Sequence, residues 1–177
     1  KTHFALESEN HLLRADLGQE ISGSMNATLS SILAVQGNLQ KGSETRLSQI
    51  HVYGIDKSFA SFTRKGVFPI GLEKNQVAVS QRVADQLSVE LGDLLILSVE
   101  KNLVVPVETP VAANDDRISV IPVKVHAVLS DAQLSRFSLR SNQYVPNNLF
   151  INRDFLASKI DAPGKANIII APSASGL

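Results

Sequence analysis

The sequence predicts an α+β fold. The first third of the chain has a strand, helix, strand, strand pattern, the last third has a strand, helix, strand pattern, and the stretch between them is mainly of strand type. With 177 residues, the chain has the length of one domain or of two small halves that fold as a unit. Leu, Val and Ile must supply the core, because aromatic residues are only 5% of the chain and Trp is absent.

In the first third, residues 2–7 alternate between apolar and polar side chains, as a strand does. Apolar residues then recur at steps of four and predict a helix. Residues 28–39 are rich in small and branched side chains, and a turn after them leads to a strand over 48–55, so these two segments predict a hairpin. The stripe of the predicted helix consists of Leu13, Leu17, Ile21 and Met25.

The middle of the chain starts with Phe59 and Phe62, whose spacing predicts a short helix, and continues through a loop at 66–71. Ser80 is placed to cap the next helix with its side chain, and Gly92 to make a tight turn. Residues 101–117 contain two prolines and predict an extended loop, and Pro122 requires a sheet edge or a bulge. Strands are predicted at 77–80, 94–100 and 118–129, and the helix at 81–88.

The last third begins with a polar loop over 130–147, whose Phe137 and Leu139 predict that it lies against the surface. A strand at 148–152, a helix at 153–160 and a strand at 166–171 follow. The two strands and the segment 28–39 are apolar enough to share one sheet, which predicts that the chain ends pack together.

Composition excludes several classes of function. Lys plus Arg and Asp plus Glu are both 17, so the net charge is zero and no clustered basic surface for a nucleic acid is expected. The absence of Cys removes disulfides, thiolate chemistry, iron–sulfur clusters and Cys-type zinc sites. The sequence also lacks phosphate-binding glycine motifs and a GxSxG turn, so no cofactor is predicted.

The residues that could carry chemistry are scattered along the sequence. The four histidines lack metal-ligand spacing, and we interpret them as surface or satisfied side chains. Asp115 and Asp116 lie in a Pro-rich stretch and predict a solvated turn, and Gly92 with Asp93 predicts a structural turn. Arg136 and Arg140 could contact an anion or a partner, but a solvated loop face is the favoured interpretation. The histidines are His3, His11, His51 and His126.

The order of these segments over residues 3–171 resembles the extracytoplasmic core domain of MacB-like (FtsX-like) ABC transporter permeases. The resemblance rests on apolar spacing and turn residues. The segments that carry it are Val52-Tyr53-Gly54-Ile55-Asp56, Val77-Ala78-Val79-Ser80, Gly92-Asp93 with Leu95-Ile96-Leu97, 123–128, 136–140, Asn148-Leu149-Phe150-Ile151 and Ala166-Asn167-Ile168.

The resemblance implies a noncatalytic domain on the periplasmic side of the bacterial cytoplasmic membrane, between the first two transmembrane helices of a permease. This position would explain the missing initiator Met, signal peptide and membrane span. It also implies a porter-like α/β part formed by residues 1–55 and 141–177, and an inserted, mainly β part formed by 56–140. The expected partners are the membrane-embedded remainder of the permease, a cytoplasmic ATPase, and a second permease copy or a periplasmic protein, with no catalytic, cofactor or metal site carried over.

Two other interpretations stay open. A soluble barrel-type domain that binds a small ligand or a peptide would be favoured by a single closed barrel with a concave apolar pocket. An enzyme that uses Asp115, Asp116 or His126 would require these groups to converge on a cleft with perturbed pKa values.

Overall fold

The computed structural model describes residues 2–8, 11–25, 28–43, 45–62, 68, 71–101, 117–139 and 145–172. These residues form the predicted α+β fold. The strands are β1 (Thr2–Glu7), β2 (Leu13–Arg14), β3 (Ser30–Lys41), β4 (Thr45–Ile55), β5 (Gln76–Ser80), β6 (Leu94–Glu100), β7 (Ile118–Leu129), β8 (Asn148–Asn152), β9 (Lys165–Ala166) and β10 (Ile168–Pro172). The helices are α1 (Leu17–Met25), α2 (Gln81–Leu87) and α3 (Arg153–Lys159), with 3₁₀ turns at Lys57–Phe62 and Asp131–Gln133.

Eight of the strands form one mixed sheet in the order β1-β10-β3-β4-β8-β5-β7-β6. The sheet closes on itself because β6 also pairs with β3, antiparallel, from Gly37↔Val99 to Gln40↔Ile96. The pairs β4–β8 and β5–β7 are parallel, and the other contacts around the ring are antiparallel. Six strands therefore make a closed barrel, and β10 and β1 extend the sheet outward from the start of β3.

Two hydrophobic cores lie on opposite faces of this sheet, because successive side chains of a strand point to opposite sides. The face shared by all six barrel strands is the interior, and α2 and α3 add side chains to the same core. The outer core is rich in aromatic rings, which the 3₁₀ turn at Lys57–Phe62 and the segment after β7 help to supply. The interior core includes Leu33, Ile50, Val52, Val79, Leu97, Ile121, Leu149 and Ile151, and the outer core Ile32, Tyr53, Phe59, Phe68, Ala78, Phe137 and Phe150.

Closure of the barrel depends on a glycine inside β3. A Cβ atom on Gly37 would lie 2.8 Å from the carbonyl oxygen of Ser98 and 2.9 Å from Cγ1 of Val99. Both distances are shorter than real Cβ contacts, so β6 reaches β3 only because position 37 has no side chain.

The two ends of the described chain lie side by side, as predicted. β1 pairs antiparallel with β10, with Thr2 opposite Pro172 and Glu7 opposite Ile168. β10 in turn pairs antiparallel with β3 through Ile168↔Ile32, Ile169↔Ser31 and Ile170↔Ser30. β3 is thus the strand that connects the terminal strand pair to the barrel.

Three local predictions need correction. The first helix begins at Leu17 and not at Leu13, because Leu13 and Arg14 pair with β9 instead. Ser80 precedes α2, but its side chain makes no capping hydrogen bond and its Oγ accepts one from the backbone N–H of Asn148 at 3.2 Å. The last predicted strand is divided at Asn167 into β9 and β10.

Other local predictions are confirmed. The hairpin of β3 and β4 forms, and β6, β7 and β8 have the predicted bounds. Pro122 lies in β7 before the first pairing with β5, which is Gln76↔Lys124, so no described strand pairs with β7 at Pro122 on the side of β5. The predicted loop over 101–117 lies outside the described residues except for Lys101 and Arg117.

The sheet runs across the predicted boundary between the two parts of the chain. β8 of the terminal part pairs with β5 of the inserted part, and β3 pairs with β6. The described residues therefore form one compact unit, and the division at residues 55 and 141 stays a prediction. Within the described ranges, no helix combines the length and the hydropathy of a membrane span.

Candidate functional site

A buried ion pair ties three elements together at the start of β3. Nη1 of Arg153, the first residue of α3, donates to Oδ2 of Asp56 at 2.6 Å and to the carbonyl oxygen of Ser31 at 3.2 Å. Arg153 is only 8% exposed, and β4 ends next to Asp56. The other carboxylate oxygen, Oδ1, accepts hydrogen bonds from Oγ of Ser30 at 3.2 Å and from the backbone N–H and hydroxyl of Ser58. The network joins β3, β4 and α3 at the place where β10 is attached.

A groove of about 890 Å³ lies on the outer face of the sheet, beside the terminal strand pair. Its floor is formed by outward side chains of β3, β4, β6 and β7. The lining includes exposed apolar residues, Ile118 at 51% and Val120 at 62%, as well as polar and charged ones such as Gln36, Asn38 and Arg46. The groove is thus mixed in character, whereas the barrel interior is filled by its own side chains.

Two aromatic rings mark the β4 side of this groove. The rings of His51 and Tyr53 are stacked, with centroids 6.4 Å apart. Burial lowers the pKa of His51, which favours its neutral form. Burial, and to a lesser degree the nearby carboxylate of Glu7, raise the pKa of Tyr53 to about 12, so that its phenol stays protonated at physiological pH.

The histidines and charged residues considered from the sequence lie partly outside the described residues, and those that are described form no common cluster. Among the described residues, His, Asp and Glu side chains form no group of three that could hold a metal ion. His11 and His126 are exposed, and the side chain of His3 is not described. Asp115, Asp116 and Arg140 lie outside the described residues. Nη2 of Arg136 forms an exposed ion pair with Oδ2 of Asp131 at 2.8 Å.

The turn at Gly92 and Asp93 has the structural role predicted for it. Gly92 has φ of +92°, in the region that favours glycine, and its N–H donates to the carbonyl oxygen of Val125 at 2.8 Å. The backbone N–H of Glu90 donates to Oδ2 of Asp93 at 2.9 Å, and Nζ of Lys41 lies 2.7 Å from the same oxygen. The hydrogen bond from Glu90, followed by the contact with Lys41, lowers the pKa of Asp93.

The hydrogen bonds of several buried polar side chains were missed by sequence reasoning. Asp56 and Arg153 are 97 positions apart, so no local spacing relates them. Asn148 is fully buried and its Nδ2 donates to the carbonyl oxygens of Ser135 and Phe137, at 3.0 and 2.8 Å. The sequence offered one signal: Asp56 and Arg153 each follow directly after an apolar strand, and Asn148 begins one.

Comparison with known proteins finds solved structures with a similar fold. No protein-family model matches the sequence, and neither does any curated protein. The periplasmic region of MacB from Actinobacillus actinomycetemcomitans is similar with a TM-score of 0.61 and 14% identity, over 98% of this chain and 75% of that one. The extracellular domain of the ABC-type transporter YknZ from Gram-positive bacteria is similar with a TM-score of 0.59 and 11% identity, over 97% of this chain and 85% of that one. At such identities the likeness establishes the fold.

Proposed function

Because this chain has the fold of the MacB-like extracytoplasmic domains, we propose that it is a noncatalytic domain of an ABC transporter permease and lies on the outer side of the bacterial cytoplasmic membrane. In this proposal it transmits ATP-driven motion from the membrane to a transported substrate or to a periplasmic partner. Its immediate partners are the membrane-embedded remainder of the permease and, through it, a cytoplasmic ATPase. A second permease copy or a periplasmic protein is the further partner.

The pairing of β1 with β10 is the observation that carries the proposal. Thr2 and Pro172 are opposite each other in one antiparallel pair, so two membrane segments joined to these strands would emerge side by side. A relative or common movement of those segments would act first on this strand pair.

The attachment of the pair supports transmission into the barrel. Ser30 and Ser31 at the start of β3 pair with β10, and they also contact the Arg153–Asp56 network. β3 then continues into the barrel, where it pairs with β4 and β6. Because close-packed interiors deform little, a displacement of this end of β3 would move the barrel as a body.

Insertion of a flexible linker tests the proposal in the intact permease. A Gly/Ser linker of about ten residues, placed directly after β10, should abolish transport while ATP hydrolysis continues, because such a chain behaves as a random coil and transmits little displacement. The matched control has the same linker after Gly42, an exposed turn residue between β3 and β4. Transport at the parent rate with the linker after β10 would contradict transmission.

The groove supports a second candidate, a domain that binds a ligand or a peptide. The closed barrel agrees with this alternative, but its interior is packed, and the concave surface on the outside is polar as well as apolar. Filling the groove with bulky side chains, by the double change Gln36→Trp and Val120→Trp, separates the two candidates. A binding domain should lose the binding of its ligand or peptide, while a transmitting domain should keep ATP-coupled transport.

A further inference from the structure

The terminal strand pair is joined to the barrel by few strand pairings. β1 is the outermost strand of the sheet, and β10 pairs with β3 through three residue pairs only. Among the described residues, no strand pairs with the same edge of β3 between Ile32 and Gly37, where β6 begins to pair. The groove opens at this interval, so water has access to the point of attachment.

Asn167 occupies this interval. Its Oδ1 accepts a hydrogen bond from the backbone N–H of Ala34 at 2.7 Å, and its Nδ2 donates to the carbonyl oxygen of Ala34 at 2.8 Å. The side chain therefore takes the place of a peptide group of a neighbouring strand. A carboxamide can do this because it offers a donor and an acceptor together, which neither a carboxylate nor an aliphatic side chain does.

The backbone of Asn167 bonds to both neighbouring strands as well. Its N–H donates to the carbonyl oxygen of Ile32 at 3.0 Å, and its carbonyl oxygen accepts from the N–H of Ser8, the residue after β1, at 2.9 Å. One residue thus connects the end of β1, the start of β10 and the middle of β3. We refer to these four hydrogen bonds as the Asn167 junction.

We infer that the Asn167 junction couples the terminal strand pair to the barrel, and that its side-chain bonds decide whether the two move as one body. With the carboxamide bonds formed, β3 is held to β10 for two residues beyond their last strand pair. Without them, the terminal pair would keep the three strand pairs, the backbone bond from Asn167 to Ile32 and the packing of Ile168 and Ile170 in the outer core, and it would open more readily than the barrel. For its role in transport this inference rests on the proposed function, but the coupling itself belongs to the 177-residue chain and is measurable there.

Amide hydrogen exchange of the 177-residue chain tests the coupling. Asn167→Ala should accelerate exchange of the Ala34 amide and of the β1 and β10 amides by at least about tenfold, since two hydrogen bonds of a locally opening unit are lost. Amides of β5 and β8, in the far side of the barrel, should exchange at the parent rate. The matched control is Gln36→Ala, which removes a different carboxamide from the same groove. Gln36 lies in β3, two residues after Ala34. Equal acceleration of all amides, or none in β1 and β10, would overturn the inference.

Asn167→Asp separates hydrogen bonding from shape. The carboxylate still accepts from the Ala34 N–H but cannot donate to its carbonyl oxygen, whereas below the ordinary Asp pKa of about 3.9 the protonated acid regains a donor. The ratio of variant to parent exchange in β1 and β10 should therefore be high at pH 7 and fall towards one at pH 3. A ratio near one at both pH values would mean that the side chain merely fills space, and the inference would fail.

The intact permease separates this inference from the proposed function. If Asn167→Ala lowers ATP-coupled transport while hydrolysis continues, the junction carries motion. If exchange is accelerated but coupled transport stays at the parent level, the junction does not carry motion, and the role assigned to it in transport falls. The linker placed after β10 tests the proposed function independently, because it leaves the junction unchanged.

Discussion

At the residue scale, the structure relies on a few buried polar groups whose partners are distant in the sequence. Arg153 and Asp56 retain only 10% and 20% of their side-chain exposure, so their ion pair is shielded from water. A buried pair is weak evidence of net stabilisation, because desolvation of two charges offsets much of their attraction. Removing one partner is different, since the other charge is then left without compensation.

Arg153→Ala is therefore expected to lower the free energy of unfolding by about 3 kcal/mol, near the low end for breaking a buried pair because Asp56 keeps some contact with water. The measurement is urea unfolding followed by circular dichroism. Arg14→Ala is the control: its pair with Glu20 has the same 2.6 Å separation but leaves both side chains more than half exposed, so a change below about 1 kcal/mol is expected. Equal losses in the two variants would contradict the burial argument.

At the element scale, the contact between β3 and β6 converts an open sheet into a barrel. The nearest atom to a Cβ on Gly37 is a backbone oxygen, that of Ser98, which cannot rotate away as a side chain could. Overpacking of this kind requires a backbone shift. The closure therefore requires a residue without a side chain at position 37.

Gly37→Ala should destabilise the fold by about 1 to 3 kcal/mol, as overpacking does. It should also accelerate amide exchange in β6 more than in β8. Gly23→Ala is the matched control, because a Cβ at this exposed position of α1 would meet nothing within 4 Å. This control should leave stability unchanged or raise it slightly, since alanine is the better helix former. Amide exchange in β6 at the parent rate in Gly37→Ala would show that β6 and β3 are not in close contact.

At the scale of the whole molecule, the sheet predicts a single cooperative unit. Around the barrel, the predicted terminal part supplies β3, β4 and β8, the predicted inserted part supplies β5, β7 and β6, and both contribute to one interior core. Neither part could keep its share of that core after the other had unfolded. We therefore expect the two predicted parts to unfold together in a single transition.

Leu149→Ala in β8 and Leu97→Ala in β6 test this cooperativity. Both side chains are fully buried in the interior core, one in each predicted part. Each variant should lower the free energy of unfolding by about 2 to 5 kcal/mol and should lower the midpoint temperature of one and the same transition. The transitions followed by near-ultraviolet and by far-ultraviolet circular dichroism should coincide. Two resolved transitions, each sensitive to only one of the variants, would instead establish two independent parts.

Sequence reasoning succeeded wherever structure follows from neighbouring residues. β6, β7 and β8 have the predicted bounds because alternation and turn residues are local signals, and the turn at Gly92 follows from the tolerance of glycine for positive φ. The same reasoning failed at Leu13, where helical spacing lost to pairing with β9, and at Ser80, whose hydroxyl bonds to β8 in place of the helix it precedes. In both cases a tertiary partner outweighed a local preference.

Chain order and apolar spacing alone were enough for the α+β class, the adjacent chain ends and the resemblance to the permease domains, because these depend on the sequence of segments and not on exact contacts. Tertiary structure alone decided the closure of the barrel at Gly37, the Arg153–Asp56 pair and the Asn167 junction, whose side chain meets Ala34 across 133 positions. The physical reason is that these contacts are made by groups brought together only when the sheet forms. Periodicity along one segment carries no information about which distant segment will become its neighbour.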